Sequence, residues 1–186
     1  ESRIILNVAL LGIPFSLIGA YAGAYLILLI PAEIVAKLLL VLIPVGIVLF
    51  LIPKDGQVRS EPVGGCKFLL MVPLVCFVVG FYDGFFGPGT GSMFIIAFHY
   101  LLKLDLVSSS ANSKVFNFSS NIGALVAFVM GGKVIYVIAL PLVLSNILGN
   151  HFGSKMAIRS GSDLVRRVLV FSMLSLFASL GVKYVL

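Results

Sequence analysis

The sequence predicts an all-α, polytopic membrane protein with five ordinary transmembrane helices and one broken, V-shaped re-entrant helical hairpin. The chain of 186 residues is 60% hydrophobic and 11% charged, and its mean hydropathy is +1.18. These values lie outside the range of soluble domains. The apolar residues fall in runs long enough to cross about 30 Å of hydrocarbon as helices. One run, from Met71 to Tyr100, is interrupted by a glycine-rich polar segment that carries an acid.

Five uninterrupted apolar segments predict the ordinary helices. Each is close to the length that a membrane-spanning helix needs, and proline, glycine or polar loops separate it from the next. In the first segment, Gly19 and Gly23 have the small-xxx-small spacing that predicts close helix packing. The charged stretch from Arg159 to Arg167 is expected to separate the last two helices. We expect the helices over residues 4–30, 34–52, 112–131, 134–158 and 164–186.

The interrupted run predicts the hairpin over residues 68–102. Its arms, residues 68–80 and 92–102, extend about 20 Å and about 17 Å as helices, just over half of the apolar thickness. The segment therefore either crosses once with a kink or enters and returns. A single crossing divides the Lys and Arg residues of the loops evenly between the two sides, whereas a re-entrant path gathers most of them on one side. The positive-inside rule favours the re-entrant path and a cytoplasmic linker over residues 54–67.

The tip of the hairpin is predicted to be a compact backbone bend near the middle of the membrane, built from Gly84, Gly87, Pro88 and Gly89. A membrane tolerates non-helical backbone at this depth only where protein or a water-filled cavity satisfies its polar groups. Interrupted helices of this kind indicate substrate sites in transporters. Close packing of two half-helices is the alternative explanation for the glycines.

An anion site is predicted where the second arm begins. The backbone N–H groups of Thr90, Gly91 and Ser92 lack partners within the helix and carry the positive end of its dipole. This arrangement favours a bound anion.

The next helix is predicted to complete the anion site. Lys114, Asn117 and Asn121 share one face of it, so a small anion fits between that face and the tip. Hydrogen bonding between helices is the alternative role for the two Asn residues, and snorkelling to the interface is the alternative for Lys114.

Asp83 is the acid that the hairpin places at membrane depth, where ionisable residues are rare and functional by default. We expect it to carry a proton as the coupling ion. It alternatively stabilises the hairpin by accepting hydrogen bonds from nearby backbone, and Tyr82 can donate to either arrangement. His99, one turn before Lys103, is expected at the cytoplasmic interface rather than in a ligand site.

Several function classes are excluded by the sequence. The net charge of +6 comes from residues between apolar runs, where they set orientation, so we expect no nucleic-acid partner. The motifs of zinc proteases, serine hydrolases and P-loop enzymes are missing, and the two His residues lack metal-ligand spacing. We therefore predict no enzymatic activity, no metal and no cofactor.

Three segments together resemble the TauE/SafE sulfite exporter family, especially its YfcA-like branch: Gly80–Ser92, Ala111–Gly123 and Gly131–Val134. The resemblance extends from Gly80 to Arg159. It implies a multi-pass permease of the plasma membrane that moves a small inorganic or organosulfur anion, such as sulfite, a sulfonate or thiosulfate, by alternating access.

The resemblance also implies two similar halves, each with a glycine-rich hairpin. Residues 1–53 then correspond to the last two helices of the first repeat, residues 54–67 to the linker, and residues 68–186 to the second repeat. The hairpin of the first repeat is absent, so the chain is expected to be an incomplete two-repeat transporter lacking its N-terminal part.

The residues leave two other functions open. One is a channel-like conduit for an anion without alternating access, and the other is a non-transporting membrane assembly subunit. The natural anion, the coupling ion, the direction of transport and the oligomeric state are not determined by the sequence.

Overall fold

The computed structural model describes residues 6–51 and 65–184, and these residues contain helices and no strand. The predicted all-α class is therefore confirmed. The chain divides into two compact units, Glu1–Gly131 and Gly132–Leu186. The helices are α1 (Leu6–Leu29), α2 (Ala32–Leu51), α3 (Gly65–Phe85), α4 (Thr90–Tyr100), α5 (Leu106–Met130) and α6 (Tyr136–Tyr184).

Three stretches among the described helices are long and apolar enough to cross a membrane: Val8–Leu29, Lys67–Phe85 and Tyr136–Gly153. Large apolar side chains such as Leu10 and Leu70 are exposed on these helices, as expected for surfaces that face lipid. The predicted polytopic membrane architecture is confirmed by these helices.

The first unit is organised around α1, which packs mainly against α3 and α5. Glycines allow the backbones of α1 and α3 to touch. A Cβ added at Gly80 of α3 would lie 2.5 Å from the Ser16 carbonyl oxygen, and one added at Gly19, Gly23 or Gly84 would overlap the backbone of the opposite helix. Each helix thus presents a small-xxx-small pair to the other, and the close packing predicted for Gly19 and Gly23 is found.

The contact between α1 and α5 combines a glycine with two hydroxyl groups. A Cβ added at Gly123 would overlap the backbone of Leu17. Ser16 Oγ donates to the Phe116 carbonyl at 2.9 Å, and Ser119 Oγ donates to the Ile13 carbonyl at 2.9 Å. These interhelical hydrogen bonds satisfy the hydroxyls inside an apolar environment and fix the register of α5 on α1.

A cluster of three aromatic rings, Phe94, Phe98 and Phe116, fills the contact between α4 and α5. The ring centroid of Phe116 lies 5.7 Å from that of Phe94 and 5.2 Å from that of Phe98, and all three side chains are fully buried. Val72 and Cys76 of α3 belong to the same core. This aromatic cluster holds α4 against α5 beneath the bend.

The first arm of the predicted hairpin is longer than expected. Helix α3 continues to Phe85, and its 21 residues extend about 32 Å, enough for a full crossing rather than a half-helix. Gly84 therefore lies inside α3 and not in the bend. Its contact with the backbone of Ala20 explains the difference, because packing against α1 stabilises the helix at a residue that the sequence alone suggests is a breaker. The re-entrant path itself stays a prediction.

The second unit contains α6, a single helix of 49 residues where the sequence suggested two. The stretch from Arg159 to Arg167 contains no proline, and its serine, glycine and charged residues are all compatible with helical backbone. A helix of this length extends about 74 Å, more than twice the apolar thickness of a bilayer. The limits of its membrane-embedded part stay a prediction.

Candidate functional site

The candidate site is built on a four-residue break between α3 and α4. The N–H of Phe86 donates to the Tyr82 carbonyl at 2.8 Å and closes α3. Gly87 and Gly89 then adopt left-handed backbone with φ of 88° each, a conformation that favours glycine. The Tyr82 hydroxyl donates to the Pro88 carbonyl at 2.8 Å and bridges the bend. The structure thus places Gly87, Pro88 and Gly89 where the helical path is interrupted, and α4 begins at Thr90.

Beside this break, Asp83 joins three helices. Its Oδ1 accepts from the hydroxyl of Thr90 at 2.7 Å, and its Oδ2 contacts the hydroxyl of Ser120 on α5. We call Asp83, Thr90 and Ser120 the acid cluster. The Thr90 hydroxyl also lies 2.5 Å from the Gly87 carbonyl, and the Ser120 hydroxyl lies 2.9 Å from the Asn117 carbonyl.

The acid cluster has more acceptors than hydrogens when Asp83 is ionised. Each hydroxyl carries one hydrogen, yet each contacts both a carbonyl and a carboxylate oxygen, and neither of those oxygens can donate. A proton on the Asp83 carboxyl supplies a further hydrogen, so one more of these contacts becomes a hydrogen bond. The cluster is therefore suited to hold a proton.

The predicted anion-binding residues fall into two groups. A Cβ added at Gly91 would lie 3.7 Å from Nδ2 of Asn117, so α5 approaches the first turn of α4. Asn121 Nδ2 donates to Asn117 Oδ1 at 3.1 Å and continues this polar face. Thr90 and Ser92 are buried in the same turn of α4, and the Thr90 N–H, expected to be available to the anion, donates to the Gly87 carbonyl at 3.3 Å. Gly91, Asn117 and Asn121 therefore form one continuous polar surface.

Lys114 lies apart from the buried part of this site. Its side chain is exposed and lines an open groove of about 690 Å³ on the outer face of α5. The other lining residues are Leu106, Val107, Ser110, Ala111, Val115 and Phe118. Lys114 precedes Asn117 by about one helical turn, so the two lie near each other on the surface of α5.

Two important features were not predicted. Ser120 contacts an acid 37 positions earlier, a pairing that depends on the packing of α5 against α3 and has no local signal. The burial of His99 was not predicted: its ring is 1% exposed, while its expected depth near the membrane interface stays a prediction. Its Nδ1 lies 2.8 Å from the Leu104 carbonyl, which explains how a polar ring is accommodated in the core.

No cluster of three or more potential metal ligands occurs among the residues that the structure describes. The candidate site offers side-chain hydroxyl and amide groups, one carboxyl group and the backbone of its glycines. Such groups bind anions and exchange protons.

Comparison with known proteins assigns the chain to a family. A family model described as sulfite exporter TauE/SafE matches residues 1–180. The probable membrane transporter protein YfcA of Escherichia coli (strain K12) is 36% identical over 162 residues, which are 86% of this chain and 59% of that protein. A probable membrane transporter protein of Haemophilus influenzae is 34% identical over 154 residues, which are 82% of this chain and 60% of that protein.

The chain spans about three fifths of the length of these relatives. No solved structure matches it. The relatives are named as probable membrane transporters, and the apolar helices of this chain agree with the predicted multi-pass location in a bacterial plasma membrane. The chain belongs to the sulfite exporter TauE/SafE family.

Proposed function

We propose that this chain is the larger part of a secondary transporter for a small anion, which binds where α4 begins and is coupled to a proton on Asp83. The acid cluster is the observation that carries the proposal. It places a carboxyl group against the first residue of a helix, with hydroxyl hydrogens from Thr90 on α4 and Ser120 on α5.

Electrostatics links the proton to the anion. The first turn of α4 carries the positive end of the helix dipole, and an ionised Asp83 already supplies a negative charge there. A second anion at the same turn would be repelled. Protonation of Asp83 removes this repulsion, so the anion and the proton bind together and leave together.

The polar surface around the break suits an oxyanion. Thr90, Gly91 and Ser92 contribute the first turn of α4, and Asn117 and Asn121 contribute amide groups that adapt to several acceptor oxygens. Together with the family description, this chemistry supports a sulfur-containing anion such as sulfite, a sulfonate or thiosulfate as the substrate. Lys114 then attracts the anion from the outer face of α5.

Alternating access requires a partner for this half of the pathway. The relatives are longer than this chain, and the family resemblance implies a first repeat with its own glycine-rich hairpin. We propose that the complete protein closes the anion between the two hairpins and that rocking of the halves exposes the site to each side in turn.

Proton-coupled counterflow in proteoliposomes tests the proposal with the complete protein. In wild-type vesicles, radiolabelled sulfite should accumulate under an inward proton gradient and exchange with internal sulfite. Asp83→Asn should abolish proton-driven accumulation while exchange persists, because the neutral amide no longer repels the anion or carries a proton. Asp105→Asn, at an exposed acid, is the matched control and should behave as wild type.

Each other result has a definite meaning. Unchanged proton-driven accumulation in Asp83→Asn would remove Asp83 from the coupling role. A large unitary conductance without counterflow would identify a channel, and silence of the complete wild-type protein with all of these anions would contradict transport.

Lys114→Met tests the contribution of the positive charge. Loss of one charge-assisted contact should weaken anion affinity about tenfold, measured as the concentration that half-saturates exchange. Lys133→Met, at an exposed lysine in the turn after α5, is the control. Unaltered affinity in Lys114→Met would show that Lys114 does not attract the anion.

A further inference from the structure

An apolar strip runs along the exposed side of α5 next to Lys114. A helix turns by about 100° per residue, so Val107, Ala111 and Phe118 lie within about 60° of Lys114, all on the same side of it. Val107 and Phe118 are exposed, and all three residues line the open groove of about 690 Å³ together with Lys114. We call this surface the α5 groove.

The polar residues of α5 lie on the other side of Lys114. Asn121 and Asn117 are displaced from it by about 20° and about 60° in that direction. Asn121 Nδ2 donates to Asn117 Oδ1 at 3.1 Å, so the two amides form one polar surface. Lys114 therefore stands on the boundary between a surface that suits the oxygen atoms of an anion and a groove that suits apolar groups.

The ammonium group of Lys114 is the charge that this boundary offers to a ligand. The side chain is exposed and forms no ion pair with the residues that the structure describes. Its four-carbon stem packs on apolar surface while the charged end stays accessible. A single positive charge beside an apolar groove is complementary to an anion that carries an apolar substituent.

Sulfite would use only the polar side of this boundary. It has three oxygen atoms and no apolar part, so the α5 groove would add nothing to its affinity. An alkanesulfonate has a similar charged head and an alkyl group that would displace water from the groove. Full burial of a methylene group strengthens binding about fourfold, and partial burial in an open groove should give about twofold.

We propose that the substrate is an organic oxyanion with a short apolar substituent, captured with its charged head on Lys114 and its substituent in the α5 groove. This inference rests on the proposed function, because it defines the substrate class of the same anion site. Among the sulfur-containing anions proposed above, it favours an alkanesulfonate over sulfite and thiosulfate.

Equilibrium binding to the complete protein tests the inference without a transport assay. Purified protein in phosphatidylcholine nanodiscs is titrated with sulfite, methanesulfonate and butanesulfonate. Butanesulfonate has three more methylene groups than methanesulfonate and should bind about eightfold more tightly, at about twofold for each group. Equal affinities of the two sulfonates would overturn the inference and leave the proposed anion site standing. No binding of any of these anions would overturn both.

Phe118→Ala should reduce the preference for the longer sulfonate. The exposed ring lines the groove, so its loss should weaken butanesulfonate about threefold and leave methanesulfonate unchanged. Phe152→Ala, at an exposed phenylalanine of α6, is the matched control and should leave both affinities unchanged. An unchanged butanesulfonate affinity in Phe118→Ala, or an equal fall for both sulfonates, would contradict a substituent in the groove.

Lys114→Met separates binding in the groove from partition into lipid. Loss of the charge should weaken both sulfonates about tenfold and preserve the ratio of their affinities. Butanesulfonate binding that keeps its wild-type strength in this variant would reflect partition and overturn the inference.

A change of lipid tests whether an acyl chain fills the groove instead. Replacing half of the phosphatidylcholine by phosphatidylglycerol makes the membrane surface negative and should weaken both sulfonates alike, so their affinity ratio should stay the same. If phosphatidylglycerol abolishes the preference for butanesulfonate while sulfite still binds, an anionic lipid occupies the groove and the inference is wrong.

Discussion

The two ends of α4 differ in how their buried polar atoms are paired. At its beginning, the acid cluster has an acid and two hydroxyl groups, so its polar atoms are in contact with one another. At its end, His99 Nε2 and Asn112 Oδ1 are buried and have no hydrogen-bond partner among the described residues. The contrast shows that burial alone does not decide whether a polar group is satisfied, because a partner must also lie at a suitable distance and angle. Four substitutions test this contrast, from the largest expected effect to the smallest.

Gly84→Leu should break the acid cluster while leaving the end of α4 in place. The new side chain would collide with the backbone of Ala20, which cannot rotate aside as a flexible side chain can. We expect a loss of about 3 kcal/mol or more in stability, or failure to accumulate folded protein. Thermal unfolding in detergent measures the effect. Gly149→Leu, which has open space around its Cβ position, is the control, and equal stability of the two variants would contradict the close α1–α3 crossing.

Ser120→Ala should weaken the acid cluster from the side of α5. The carboxyl group of Asp83 then loses one of its two hydroxyl contacts inside the protein. We expect a loss of about 1–3 kcal/mol in the free energy of unfolding. Ser172→Ala removes an exposed hydroxyl that bonds within α6 and should change stability by less than about 0.5 kcal/mol. A Ser120 variant as stable as this control would show that the contact contributes little.

Gly87→Ala separates backbone strain from packing at the bend. A Cβ there would meet only ordinary contacts, the nearest being the Asp83 carbonyl at 3.5 Å, so the cost comes from the φ of 88°. We expect about 1–2 kcal/mol of destabilisation. Gly132→Ala, with a φ of 63° and no neighbour within 4 Å, should cost a similar amount. Anion exchange should fall in the Gly87 variant alone. An equal loss of exchange in both variants would show that transport does not depend on the geometry of the bend.

Asp105→Ala should have the smallest effect, at the end of α4 that holds His99. Asp105 caps α5 by accepting from the Ser108 N–H at 2.9 Å, and its loss should cost about 1 kcal/mol. This hydrogen bond holds the pKa of the Asp105 carboxyl below its ordinary value. The stabilisation is therefore fully present above the ordinary Asp pKa and is lost as the pH falls through the lowered one.

Unfolding measured against pH in wild type and Asp105→Asn checks this sign. The Asn variant keeps a capping side chain but cannot ionise, so its stability should lack the acid-side decrease that Asp105 contributes. An identical pH dependence in the two proteins would contradict the assignment.

The sequence was sufficient for those features that depend on the length and spacing of apolar runs. The all-α class, an interruption between two helical arms and the start of the second arm near Thr90 follow from this pattern, whereas the first arm was expected to end at residue 80 and continues to Phe85. The different roles of the glycines did not follow from the sequence, because Gly84 and Gly87 look alike there. Only the packing of α1 against α3 shows that Gly84 serves a helix contact and Gly87 serves the bend.

The sequence did not predict the hydrogen-bond partners of the buried polar groups either. Asp83 was identified from its depth in an apolar run, but Ser120 is one of several hydroxyls on α5, and the rotation of that helix selects it. The burial of His99 was missed for a related reason. Its neighbour Lys103 is exposed, yet the chain turns after Tyr100 and brings the Leu104 carbonyl within 2.8 Å of the Nδ1 atom of the ring.

The aromatic cluster has a consequence for leakage. Phe94, Phe98 and Phe116 occupy the space between the two ends of α4, and their edges leave nothing for a water file to hydrogen-bond to. In the proposed transporter, a proton on Asp83 would find no hydrogen-bond partner among these rings, so the aromatic cluster would oppose proton leakage along α4.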